Sequence, residues 1–156
     1  MEPIDCMNPA RSPGLIRGLS HTLAALFSSS ADFHRAWKRY AAVASPSTGM
    51  EGRWQGEWIS EVNGHHGQLK GVVTKSDSGE YKACFHATYS RFLRVCYEVN
   101  LSGQEEDGHI ELEGEADLGQ LAGGVYHYTG EATSTEFNCQ YHCKYDHGTF
   151  HMKRLD

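Results

Sequence analysis

Proline is scarce in this 156-residue chain, with four residues, and so is positive charge, with 14 Lys+Arg against 20 Asp+Glu. The acidic balance argues against general nucleic-acid binding, which needs cations to neutralise phosphates. No run of 18 apolar residues occurs, so no segment reads as a membrane-spanning helix. The five cysteines form no CxxC and no Cys/His pair with zinc-finger spacing. Cys139 and Cys143, if they share a strand, stand about 13 Å apart and cannot bridge. Reduced thiols and a cytoplasmic location follow as expectations. There is no nucleophile-elbow serine, no phosphate-binding loop and no HExxH.

What is abundant is glycine, with 17 residues, and aromatics, with eight Tyr, six Phe and three Trp. That is the composition of a turn-rich β protein. The first 50 residues differ from the rest in being slightly basic. Leu15, Leu19, Leu23 and Leu26 recur at helical spacing, and Phe33, Trp37 and Tyr40 do so again after Ser28-Ser29-Ser30, with Asp32 placed to cap. The short apolar stretch Leu23–Phe27 is followed at once by charges, which is not the pattern of a secretory leader. The chain thus divides into a disordered start (1–13), a helical arm with its linker (14–49) and a β domain (50–156). The arm is expected to pack on that domain. A basic amphipathic arm also allows a second reading, peripheral contact with a membrane.

From Glu51 onward the hydrophobic period is two. The inward series are Trp54-Gly56-Trp58, Leu69-Gly71-Val73, Tyr81 to Tyr89, Val95 to Leu101, Ile110 to Leu118, Tyr126-Tyr128-Gly130, Phe137 to Tyr145, and Phe150-Met152-Arg154. Such alternation marks antiparallel strands with one wet face. Short turns at Asn63-Gly64, Ser76–Gly79, Gly103–Gly108 and Asp146–Gly148 join them, leaving no room for helical crossovers. The expected fold is all-β: an eight-stranded antiparallel up-and-down barrel preceded by an N-terminal helical arm.

Gly52-Arg53-Trp54 on the first strand and Arg154 on the last resemble the calycin superfamily of lipocalins, fatty-acid-binding proteins and avidins. The resemblance implies that Trp54 packs beneath Arg154 and closes one barrel end as a structural plug. The Gly52-x-Trp54-x-Gly56 start is also similar to that of small haem-binding barrels of the nitrobindin type, which would imply His147 or His151 as the haem ligand.

In a meander barrel, connections 1–2, 3–4, 5–6 and 7–8 share one end, and the arm is expected at the other. The first end gathers Asn63, His65, His66, Arg91, Arg94, Asp117, Asp146 and His147. Loop residues of this kind often carry function. Seven of the eight tyrosines fall on inward positions, where each buried hydroxyl needs a partner. Small residues at Gly56, Gly71, Ala83, Ala87, Gly114 and Ala116 suggest room beside them. The pattern points to a small-molecule binding protein whose ligand meets Trp58, Asn63, His65, Tyr89, Tyr97, Tyr126, Tyr128, Tyr141 and His147. Arg91 and Arg94 would engage an anionic group. A cofactor-free isomerase- or hydrolase-like enzyme using His147, Asp117 and Tyr126 is the alternative. A metal site from His65, His66 and His147 with Asp117 and Asp146 is another, but no spacing demands it. His127, His142 and His151 fall on outward positions, where a solvated patch is expected; the sequence identifies no cofactor and the expectation is none.

Overall fold

The computed structural model describes residues 18–46, 48–89 and 93–155, with side chains from Ser30 onward. The start at 1–13, Leu15, Arg91 and the side chains of Leu19, Leu23 and Leu26 lie outside the described residues. One helix, α1 (Gly18–Ala41), precedes eight strands: β1 (Gly52–Ser60), β2 (His66–Lys75), β3 (Tyr81–Thr88), β4 (Arg94–Glu106), β5 (His109–Asp117), β6 (Val125–Ala132), β7 (Glu136–His142) and β8 (His147–Leu155). Each strand pairs antiparallel with the next, and β8 returns to β1, closing the barrel in the expected order. The closing seam sets Trp54 opposite Arg154 and Trp58 opposite Phe150. Closure leaves no sheet edge to be covered.

The inward side chains fill the barrel unevenly. Its middle is solid with Trp54, Leu69, Phe85, Phe137 and Met152, each wholly buried. Phe85 meets Phe150 at 5.4 Å and Phe137 at 6.3 Å between ring centroids. Burying each such side chain contributes about 1.5–3 kcal/mol. The room expected beside the small residues is largely taken. A Cβ on Gly71 would touch the Phe85 ring at 3.1 Å, and one on Gly56 or Gly114 would strike a neighbouring strand's carbonyl. Those glycines permit close approach of strands and do not line a void.

The Trp54–Arg154 plug is present. The guanidinium carbon lies 4.9 Å from the centre of the Trp54 ring. Its nitrogens donate to the carbonyls of Pro46, Gly49 and Glu51. The Trp54 indole donates to Met50 O at 2.9 Å. The linker is therefore wrapped around one arginine, and that end of the barrel is shut.

The arm packs on the domain, but along its side. Phe33, Ala36, Trp37 and Tyr40, one stripe of α1, cover Val72, Cys84 and Cys96 on the outer wall of β2–β4. This explains why β2 and β3 are buried on both faces. Phe33 stacks on His86 at 5.1 Å, and Trp37 carries Arg53 and Lys70 over its ring at 5.3 and 5.1 Å. Three local expectations fail. Ser28-Ser29-Ser30 does not break the helix, because serine costs little inside one, and Asp32 pairs with Arg35 within α1 instead of capping. The expected loop Gly103–Gly108 is mostly strand: β4 runs to Glu106 and turns through Asp107 and Gly108 at φ 51 and 78, the two-residue turn that Asp-Gly favours. Strand β7 stops at His142, so Cys143 and Tyr145 belong to the turn, where the Cys143 N–H donates to Asp146 O at 2.7 Å. Cys96, Cys139 and Cys143 are free thiols, whereas Cys84 is disulfide-bonded, contrary to the expectation of reduced cysteines throughout. No helix among the described residues is long and apolar enough to cross a membrane.

Candidate functional site

The end opposite the plug is open. A cavity of about 540 Å³ enters there between the 1–2, 3–4, 5–6 and 7–8 connections. Phe150, Tyr97 and Tyr128 form its depth, Trp58, Ala87, Val95, Tyr126 and Tyr141 its wall, and Asn63, Tyr89, Leu93, Leu118, Leu121, Gly123, Tyr145 and Asp146 its rim.

Each aromatic is held by a local device. Gly67 faces Trp58 across the β1–β2 ladder and lacks a side chain, so the indole lies across it and donates to Thr88 O at 3.2 Å. Tyr89 stacks on that indole at 4.9 Å, with the His65 ring edge-on at 6.2 Å. Gly148 plays the same part for Tyr141, whose hydroxyl passes over it to donate to Ile59 O at 3.3 Å. Tyr126 lies 6.0 Å from Tyr141 and 6.4 Å from Tyr128.

The hydroxyls divide into layers. Deepest, those of Tyr97 and Tyr128 act on each other. Nearer the mouth, Cys143 acts on Tyr126 in the same way. Burial is the main force pushing the phenols of Tyr97, Tyr126, Tyr128 and Tyr141 well above the usual range. The Asp146 charge adds to this at Tyr126 and Tyr141, and again at Tyr89. Burial also pushes the Cys139 thiol up to about 12. At neutral pH the wall therefore offers neutral O–H groups that donate or accept, and no phenolate nucleophile. The Asp146 carboxylate accepts from the buried Ser60 hydroxyl at 2.5 Å, while Ser60 also caps the β1–β2 turn at Val62 and Asn63.

Of the residues singled out from sequence, Trp58, Asn63, Tyr89, Tyr97, Tyr126, Tyr128 and Tyr141 border this cavity. Of the seven tyrosines placed inward, Tyr145 is 66% exposed and Tyr89 41% exposed, both at the rim. Tyr81 is buried at the plugged end, where Lys75 covers its ring. Arg94 stands on the outer wall, where its charge acts on His86, so it does not supply an anion site inside. Arg91 lies outside the described residues. His65 and His66 are exposed in the first turn. His147 points away from the cavity to Glu61 at 3.7 Å, and Asp117 caps its own turn by accepting the Gly119 N–H at 2.9 Å. The supposed trio of His147, Asp117 and Tyr126 is thus not brought together.

No three His, Cys, Asp or Glu side chains among the described residues are placed to hold one metal ion. Haem ligation through His147 or His151 is not supported either. His151 pairs with Asn138 on the outer wall, and no histidine among the described residues lines the cavity. His127 and His142 face outward as expected, stacked at 5.0 Å beside Glu115. A wider trough of about 1100 Å³ runs over β4–β8 past Glu111, Glu113 and Glu131. Those carboxylates are exposed to solvent.

Sequence reasoning placed Leu118 on the inward face but missed Leu93 and Leu121 at the rim. Leu121 is 95% exposed on a single 3-10 turn between glycines at positive φ. An isolated leucine in a Gly-rich loop carries no periodic signal, so only the folded loop shows that it borders the mouth. No family model matches this chain, and neither the curated proteins nor the solved structures provide a match. The closed meander with its Trp54–Arg154 plug is compatible with a calycin-like fold.

Proposed function

We propose that this barrel binds a small molecule in the tyrosine-lined cavity, taking an apolar body against Phe150, Trp58 and Leu118 and a polar group against the phenols. One observation carries the reading: the core is packed solid at the plugged end and hollow at the other, although both ends belong to one continuous barrel. A protein selected for stability alone gains from filling that space, since unfilled volume forfeits dispersion contacts. The hollow part is also where phenols cluster, at a cost in desolvation that a packed Leu or Phe would not incur. Its volume is in the range of small-molecule sites. A neutral naphthylamine dye tests this. It should bind one per chain with energy transfer from tryptophan, and Ala87→Phe, which fills the wall, should abolish binding while leaving the fold intact. Dye binding unaffected by Ala87→Phe would refute the location, and no binding of any neutral aromatic probe would refute the function.

A further inference from the structure

We propose that the ligand of this cavity is an organic cation, a quaternary or protonated amine on an apolar frame; the proposal rests on the cavity being a ligand site. Three features converge. The first is charge. Asp146 brings a carboxylate to the cavity, and no Lys, Arg or His among the described residues lines it. No described cation forms an ion pair with Asp146; its described side-chain contact is the hydroxyl of Ser60. That bond engages one carboxylate oxygen and positions it, leaving acceptor capacity on the group.

The second feature is the rings around that charge. Trp58 and Tyr89 form a stacked pair, Tyr126 and Tyr141 stand 6.0 Å apart, and all four line the cavity with Asp146. The faces of these rings carry negative quadrupole potential, and an ammonium within about 6 Å of such a face is attracted to it. Aromatic rings and a carboxylate lining one cavity are the groups that recognise alkylated ammonium ions. The third is field direction. The Asp146 charge bears on Tyr89, Tyr126 and Tyr141 together, while the Lys144 ammonium lies over the exposed Tyr145 ring at the rim. An anionic ligand would enter against the Asp146 charge, and a neutral one would gain nothing from it. The apolar frame then lies inward, toward Phe150 and Ala87.

Three probes sharing one chain separate these cases: hexyltrimethylammonium, 1-hexanol and hexanoate, titrated into the protein by NMR. The ammonium should bind about tenfold tighter than the alcohol, and hexanoate more weakly than either. Asp146→Asn, which keeps an acceptor for Ser60, should bring the ammonium down to the alcohol's affinity and leave the alcohol unchanged. Hexanoate binding as tightly as the ammonium would overturn the proposal, as would an ammonium preference that survives Asp146→Asn; in both cases alcohol binding would leave the cavity reading standing. If none of the three perturbs the cavity tyrosines, both readings fall. The ranking in the unaltered protein needs no variant, so it decides the matter even if Asp146→Asn does not fold.

Discussion

The coupled hydroxyls of Tyr97 and Tyr128 give the most quantitative check on the interior. Tyr128 is 3% exposed, and the surface that Tyr97 retains faces the cavity. The backbone around them is committed to the β3–β4 and β6–β7 ladders, so each hydroxyl looks to the other. Tyr97→Phe or Tyr128→Phe alone strands the surviving phenol, which costs about 1–3 kcal/mol. Changing both removes the donor and the acceptor together and should return the protein to within about 0.5 kcal/mol of its starting stability. The coupling in a double-mutant cycle is then about as large as either single loss. For a domain of this size each 1 kcal/mol corresponds to about 2–4 °C in Tm. Urea melts of the four proteins, with unchanged m-values, supply the numbers. Two small, additive losses would mean that water serves both hydroxyls. The layered interior, with a dry pair below a ligand space, would then be wrong.

Three other perturbations test separate parts. Arg154→Met removes the guanidinium from the carbonyls of Pro46, Gly49 and Glu51 and should cost about 2–4 kcal/mol in a thermal melt, with probe affinity at the far end unchanged. Gly148→Ala places a Cβ 2.0 Å from Ile59 O and 2.6 Å from the Tyr141 hydroxyl, so it should lower stability by about 2 kcal/mol or more and weaken probe binding as Tyr141 is displaced; a neutral result would deny the close approach. His86 provides the pH test. Burial under Phe33 lowers its pKa, and nearby His34 on α1, Arg94 on β4 and Lys70 on β2 lower it further. The folded protein therefore binds fewer protons at His86 than the unfolded chain, whose imidazole titrates near about 6.5. Stability should rise with pH through that region and fall as acid drops below it toward the depressed value. Urea melts across this range should show the slope in the wild type and a flatter one in His86→Phe; an identical slope would exonerate His86.

The barrel was legible because its signal is periodic. Eight alternating runs with short turns leave few topologies, and the inward register of Trp54, Trp58, Tyr97, Tyr128 and Phe150 followed directly. The ends of elements were harder. Asp107-Gly108 outweighed the polar run before it, because a matched turn extends pairing even through Gln104 and Glu105. The mouth was located from strand order alone, which fixes which loops share an end. Its chemistry was less legible. His147 and Asp117 lie near each other in a topological sketch, yet each is claimed locally, by Glu61 and by Gly119. Asp146 looked like an ordinary turn residue, and only the bond from Ser60, 86 positions away, shows how its carboxylate is held at the cavity rim.

The central claim is an accessible, phenol-lined space at one end of an otherwise solid barrel. Selective ring labelling of tyrosine with a neutral alcohol as titrant tests it most directly, because Tyr81 at the plugged end is a built-in control. Saturable shifts at Tyr126, Tyr128 and Tyr141 with Tyr81 unmoved are the predicted result. Shifts at none of them, or equal shifts at Tyr81, would contradict the account.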